Sequence, residues 1–381
     1  MWILRVKRPP GSLPAFKARY VARGFSQRQG VDYFQTFSPT PKMTTLRPAR
    51  RPPGFTGSFP AGTQWSLRRP VYGLGQMPRE WHDTLRTTLA ALGFTPTADP
   101  SLFLRTNTSL PPFYVLVYTD DLVFAIADTE AVTLVKSELQ KRHTCTDLGE
   151  LSSYLGLQII RDRARRTITL TQSHMVHQIL QRFGFQFSSP QPTPLSTDHS
   201  LSAPPSDESV EPSGPYPELV GCLMYLMTCT RPDLAYPPRL LARYVAPGRY
   251  RKVHWDAEKR VLRYLCSTSG MGLMLEGRGP FVLNGHEDVS WVDDSATQRS
   301  SQGYTFSLGE QPRSAPDLYV DNKAMIALCQ EHRLEHRTKH IALRYLLARE
   351  LQQRGQLRLA YVASRANTAD IFTKALLPGD H

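Results

Sequence analysis

The chain has 381 residues and a formal charge of +13, enough length for two or three domains with real cores and a balance that points to a polyanionic partner. Its five cysteines form no CxxC pair and no His/Cys cluster of zinc type, which argues against a disulfide framework or a zinc module and for free thiols in a reducing compartment. The opening "MWILRVKRPP" lacks the apolar core of a signal peptide and no stretch is long and apolar enough to span a bilayer, so a soluble protein of the cytoplasm or nucleus is expected.

In chain order, residues 1–110 alternate basic segments with Pro/Gly breaks. The stretch "RPARRPPGFTGSFPAGTQ", Arg47 to Gln64, can hold no regular element. "PREWHDTLRTTLAALGF" has apolar residues at helical spacing and a glycine stop, so it reads as a helix. "VLVYTDDLVFAI", Val115 to Ile126, is an apolar run split by Asp120 and Asp121, a strand pair with its charges in a tight turn. Two readings stand for that turn: a solvated Asp-Asp loop, or paired carboxylates holding Mg²⁺, a hard ion that prefers oxygen ligands.

"TEAVTLVKSELQKRH" follows as an amphipathic helix with a basic end. "LSSYLGLQIIRDRARRTITLTQ" reads as a hairpin turning at Arg161–Arg166, and "HMVHQILQRFGF" as a short helix. Residues 188–217 are rich in Pro, Ser and Thr and read as a linker or long loop. Helical patterns return in "YPELVGCLMYLMTCTRPDLAY" and "YRKVHWDAEKRVLRYLCS". Past Gly270 come strand-like "MGLMLEG", "FVLNGHEDVSWV", "GYTFSLGE" and "LYVDN", then two helices and the strand "QLRLAYVAS", the pattern of a separate α/β domain.

Several of these blocks, in this order, resemble the Ty1/copia-type retrotransposon Pol polyprotein: "KARYVARGFSQRQGVDYFQTFSPTPKMTTLR", "VYGLGQMPREWHDTL", "VYTDDL", "TDLGELSSYLGLQI", "LVGCLMYLMTCTRPDLAY", "HWDAEKRVLRYL", "DNKAMIAL", "RTKHIALRYLLARE" and "NTADIFTKAL". The resemblance runs from about Trp2 to Leu377. It implies incomplete α+β reverse-transcriptase palm and fingers over residues 1–187, and the linker over 188–217. A helical thumb or connection over 218–270 and an incomplete α/β RNase H-like domain over 271–381 complete it. It further implies that Asp120 and Asp121 bind Mg²⁺, or Mn²⁺ in its place, in the polymerase palm. Lys17 and Arg19 would meet the incoming triphosphate, and Gln76 would line the nucleotide pocket. Gly75 stands where the family has a lysine. Asp288, Asp321 and Asp370 would be metal-binding carboxylates of the RNase H site. The implied partners are an RNA template and an RNA–DNA hybrid.

Two elements of the family pattern are absent. The palm's third aspartate lies on a strand that "KMTTLRPARRPPGF" skips, and no Asp or Glu occurs between Gln35 and Arg79. The RNase H glutamate lies on a helix that "YTFSLGEQPRSAPDLYVDN" skips. Glu310 and Asp317 remain in that splice, where they read as loop residues and not as replacements. A chain inactive in both chemistries is expected. The alternatives are a non-catalytic nucleic-acid-binding protein and a relic without function.

Overall fold

A computed structural model describes residues 2–7, 15–20, 77–107, 110–198, 201, 214–246, 248–277, 282–294, 299–309, 316–330 and 342–381. The chain packs as two units, Met1–Gly149 and Glu150–His381. That division falls inside the segment 1–187.

In the first unit β1 (Trp2–Lys7) and β2 (Ala15–Tyr20) pair antiparallel, with Lys17 opposite Arg5 and Arg19 opposite Ile3. The expected helix is α1 (Met77–Ala91), and Gly93, at φ 83°, supplies the left-handed residue that stops it. A four-stranded antiparallel sheet follows in the order β3 (Thr95–Pro96), β4 (Leu102–Asn107), β5 (Leu110–Tyr118), β6 (Asp121–Ala125). Next comes α2 (Thr129–Arg142), whose first turn is capped by Asp128 and whose last carries Lys141 and Arg142, charges that suit the two ends of the helix dipole.

The period of two along β5 sends Phe113, Val115 and Val117 to one face, where Leu85 and Leu89 of α1 and Ala131, Val135 and Leu139 of α2 cover them. Each such side chain, fully buried, contributes about 1.5–3 kcal/mol of transfer free energy. Tyr114 and Tyr118, on the other parity, remain exposed. In this sheet β6 is an edge strand.

The second unit begins with an antiparallel sheet, β7 (Ser153–Tyr154), β8 (Leu157–Asp162) and β9 (Thr167–Thr171), whose β8–β9 turn is the charged one expected. Its fourth strand, β10 (Gly272–Glu276), pairs with β9 across the intervening helices. The segment "MGLMLEG" therefore closes this sheet and does not join the strands that follow it.

Between β9 and β10 lie α3 (Ser173–Phe183), α4 (Tyr216–Cys229), α5 (Tyr236–Leu241) and α6 (Lys252–Ser267). Leucines and valines at helical spacing on α3, α4 and α6, among them Val176, Leu180, Leu223, Leu226, Val261 and Leu265, make one core. Arg231, buried, ties the end of α4 to the end of α6 by ion-pairing with Asp233 at 2.7 Å and donating to the Thr268 carbonyl at 2.8 Å. The described part of the Pro/Ser-rich segment is no free linker, because Leu195 and Leu201 are buried with Tyr216, Val220, Leu240 and Leu241.

The last sheet is mixed. β11 (Val282–Asp294) and β12 (Arg299–Gly309) pair antiparallel, and β13 (Asp317–Val320) lies parallel to β11. After α7 (Lys323–Gln330) and α8 (Ala342–Gln353), β14 (Arg358–Tyr361) lies parallel to β13, giving the order β12-β11-β13-β14. Asp317, read as a loop residue, is the first residue of β13. It is held there by Arg358 of β14, its register partner, through two hydrogen bonds of 2.6 and 2.7 Å. Glu310 lies outside the described residues.

Candidate metal centre

At the β5–β6 tip, Tyr118 pairs with Asp121, which leaves Thr119 and Asp120 as the two loop residues. Two-residue loops demand an unusual backbone, and Thr119 takes φ 51°, an uncommon value for a β-branched residue. The indole Nε1 of Trp81 on α1 donates to the Thr119 carbonyl at 2.7 Å and fixes the tip to the helix beneath it. Asp120 and Asp121 are exposed. No third acidic side chain among the described residues joins them in a cluster.

The other expected carboxylates come together. One oxygen each from Asp288, Asp321 and Asp370 lies within 4.8 Å of the others. Asp288 sits mid-strand on β11, Asp321 directly follows β13, and Asp370 lies on a 3-10 turn, Thr368–Phe372, that follows β14. Period-two alternation and parallel pairing explain the first two: His286 and Asp288 share a face of β11, and His286 is the register partner of Tyr319, two residues before Asp321.

The turn is brought to the sheet by its own polar residues. Asn367 caps it by accepting from the Ala369 amide at 3.2 Å and donates to the Glu287 carbonyl at 2.9 Å. The hydroxyls of Thr305 and Thr368 meet at 2.8 Å, and Thr373 donates to Asp288. The Ser364 hydroxyl donates to Asp321 at 2.9 Å. Lys374, one turn beyond Asp370, places Nζ 2.8 Å from Asp370 Oδ2 and 3.8 Å from Asp288 Oδ2.

Electrostatics follow from this crowding. Burial raises the Asp370 carboxyl above the ordinary carboxylate range, and the charges of Asp288 and Asp321 add to it while Lys374 opposes. Burial works against the Lys374 ammonium, but its hydrogen bond to Asp370 and the three carboxylate charges prevail, and its pKa is raised. Asp370 Oδ1 is buried with no hydrogen-bond partner among the described residues. An open, buried oxygen beside two converging carboxylates is the donor set a hard divalent cation takes.

A reverse transcriptase (RNA-dependent DNA polymerase) family profile matches residues 49–197. The retrovirus-related Pol polyprotein from transposon TNT 1-94 of Nicotiana tabacum is 28% identical over 457 aligned residues, covering 98% of this chain and 34% of that protein. The one from transposon RE2 of Arabidopsis thaliana is 30% identical over 453, covering 98% and 31%. The putative transposon Ty5-1 protein of Saccharomyces cerevisiae is 30% identical over 264 residues, 69% of this chain and 84% of its own length. This chain belongs to the Ty1/copia-type retrotransposon Pol polyprotein family.

The chain spans about a third of the two longer relatives. Their aligned spans of 457 and 453 residues exceed its own 381, so they carry internal segments with no counterpart in it. No solved structure matches it.

Of the residues singled out in the Pol sequence, the structure thus gathers Asp288, Asp321 and Asp370 and sets Asp120 and Asp121 at a hairpin tip. Lys17 and Arg19 stand two apart on β2, and Gln76 lies outside the described residues. Sequence reasoning missed Asn367, Thr373, Ser364 and Lys374. The Asp370/Lys374 spacing of four and the Asn three residues before Asp370 were the available signals, and both also suit an ordinary solvated helix end.

Proposed function

We propose that this chain is the reverse transcriptase–RNase H portion of a Ty1/copia-type Pol polyprotein whose two metal sites are each incomplete, leaving a nucleic-acid-binding protein with negligible catalysis. The observation that carries the reading is the convergence of Asp288, Asp321 and Asp370 on three separate elements of one mixed sheet. The order β12-β11-β13-β14, one antiparallel pair followed by two parallel pairs, supports an RNase H-like domain lacking a strand and a helix.

In that reading Asp288, Asp321 and Asp370 hold Mg²⁺ or Mn²⁺ against the phosphate of an RNA–DNA hybrid. Asp120 and Asp121 hold the ion of a polymerase site, with Lys17, Arg19 and Gln76 about the triphosphate. The ion, when bound, supplies Lewis-acid stabilisation of a phosphoryl centre. With one carboxylate element missing from each site, the lost charge stabilisation lowers the rate by roughly three or more decades. The net charge of +13 supports the binding that remains, in the cytoplasm or nucleus where an RNA template is met.

Primer extension on an RNA template and cleavage of a labelled hybrid, each with Mg²⁺ or Mn²⁺, test this. Neither product is expected. Extension abolished by Asp120→Asn, or cleavage abolished by Asp321→Asn, overturns the claim of inactivity. Hybrid affinity should fall steeply and log-linearly with salt, and binding indifferent to salt overturns the charge argument.

A further inference from the structure

Three carboxylates held within 4.8 Å repel one another, and a nearby cation relieves that repulsion. The chain supplies one itself. The Lys374 ammonium bridges Asp370 at 2.8 Å and Asp288 at 3.8 Å, and its own backbone amide donates to the Asp370 carbonyl at 3.1 Å, just past the turn. We infer that Lys374 is a tethered competitor for the cation position of the Asp288–Asp321–Asp370 cluster, so that a divalent ion enters only by displacing it.

The inference rests on the metal-binding reading of the cluster. Its physical basis is an asymmetry in mobility. The side chains of Asp288 and Asp370 are 9% and 8% exposed and are pinned by the sheet and its turn, whereas that of Lys374 is 41% exposed on a flexible four-carbon stem. The lysine can leave and the carboxylates cannot. Because it is covalently close, its effective concentration at the site does not fall on dilution, and every metal-binding event works against it. Thr373 and Ser364 donate to Asp288 and Asp321 whether the cation is an ammonium or a metal, so they favour neither. Oδ1 of Asp370, buried and without a hydrogen-bond partner among the described residues, is left for an ion that has taken the lysine's place.

The test is Mn²⁺ binding, followed by the electron-paramagnetic resonance of the free ion, on the full chain carrying Asp120→Asn and Asp121→Asn to silence the hairpin. In that background Lys374 is compared with Lys374→Gln, Lys374→Ser and Lys374→Arg, each checked for folding by circular dichroism. Mn²⁺ should bind at one site that Asp321→Asn removes. The Gln and Ser variants should bind it about tenfold or more tightly, the loss of one charge-assisted ion pair, and the Arg variant no more tightly than Lys374. Equal affinity in all four overturns the inference and leaves the metal reading standing. Weaker binding in the Gln and Ser variants overturns it by making the lysine a helper. No Mn²⁺ bound by any variant overturns both.

Discussion

Asp288 on β11 is the register partner of Gly303 on β12, and the turn carrying Asp370 rests on that glycine. A Cβ at 303 would lie 2.7 Å from Phe372 Cβ, 2.9 Å from the Ala369 carbonyl oxygen and 3.0 Å from Thr373 Cγ2. Only a residue without a side chain lets the turn come close enough to set Asp370 beside Asp288. Gly303→Ala should therefore lift the turn off the sheet, costing about 1–3 kcal/mol of stability and weakening Mn²⁺ binding together. Chemical denaturation and Mn²⁺ titration of the variant check both effects. A stable Gly303→Ala with unchanged Mn²⁺ affinity would show that the close approach is dispensable.

Glu258 on α6 has no exposed surface, and neither carboxylate oxygen has a hydrogen-bond partner among the described residues. Burial pushes its pKa from 4.5 up to about 9. Between those values the folded chain keeps a proton that the unfolded chain has released, so stability falls as pH rises through that window and levels off above it. At about 1.4 kcal/mol per pH unit, the penalty at neutral pH is about 3 kcal/mol. Glu258→Leu should raise the urea midpoint at pH 7 and 9 and scarcely change it near pH 4.5, the difference between the two proteins isolating this one group. A constant difference across pH would sink the account.

Thr119 holds a left-handed backbone at the tip of the β5–β6 loop. Thr119→Gly and Thr119→Asn, which accept that conformation, should stabilise the hairpin by about 1 kcal/mol. Slower hydrogen exchange in peptides spanning residues 113–126 is the measurement. Faster exchange in both variants would mean that the threonine side chain contributes more than its backbone strain removes.

Asp317 is 2% exposed and its partner Arg358 is 53% exposed. Arg358→Ala removes two charge-assisted hydrogen bonds from a buried carboxylate that keeps the Tyr319 hydroxyl at 3.2 Å, and should cost about 1–3 kcal/mol. Asp317→Asn should leave Mn²⁺ binding unchanged, since Asp317 is no part of the carboxylate cluster. Loss of Mn²⁺ binding in Asp317→Asn would return it to the list of metal ligands.

What could be read in the sequence was local or inherited. Helical spacing in "PREWHDTLRTTLAALGF" and alternation around Asp120 and Asp121 identify α1 and the hairpin because the forces that form them act within a turn or a strand pair. That Asp288, Asp321 and Asp370 meet could be expected only through the family resemblance, for nothing in their spacing joins them. The pairing of β10 with β9 leaves no local mark, so "MGLMLEG" reads equally well as part of either sheet. Asp317 was misplaced because the splice before it looks like loop, while its ion pair with Arg358 comes from a strand much later in the chain. The packing of Leu195 and Leu201 was hidden by a Pro/Ser-rich composition that gives no hint of which few apolar residues find a core.

The β9–β10 pairing carries a consequence for the birth of the chain. β9 ends at Thr171 and its neighbour begins at Gly272, so the sheet cannot be completed until α3 to α6 have been synthesised. On the ribosome, those helices have time to form while β9 waits with one side of its backbone unpaired. Closing so long a loop is slow, though its entropic cost grows only logarithmically with length. Any nascent product that stops before β10 leaves β9 unpaired on that side, where the matching strand of a second unfinished chain can take the place of its own. The fourth strand, added last, covers β9 and becomes the edge strand in its place.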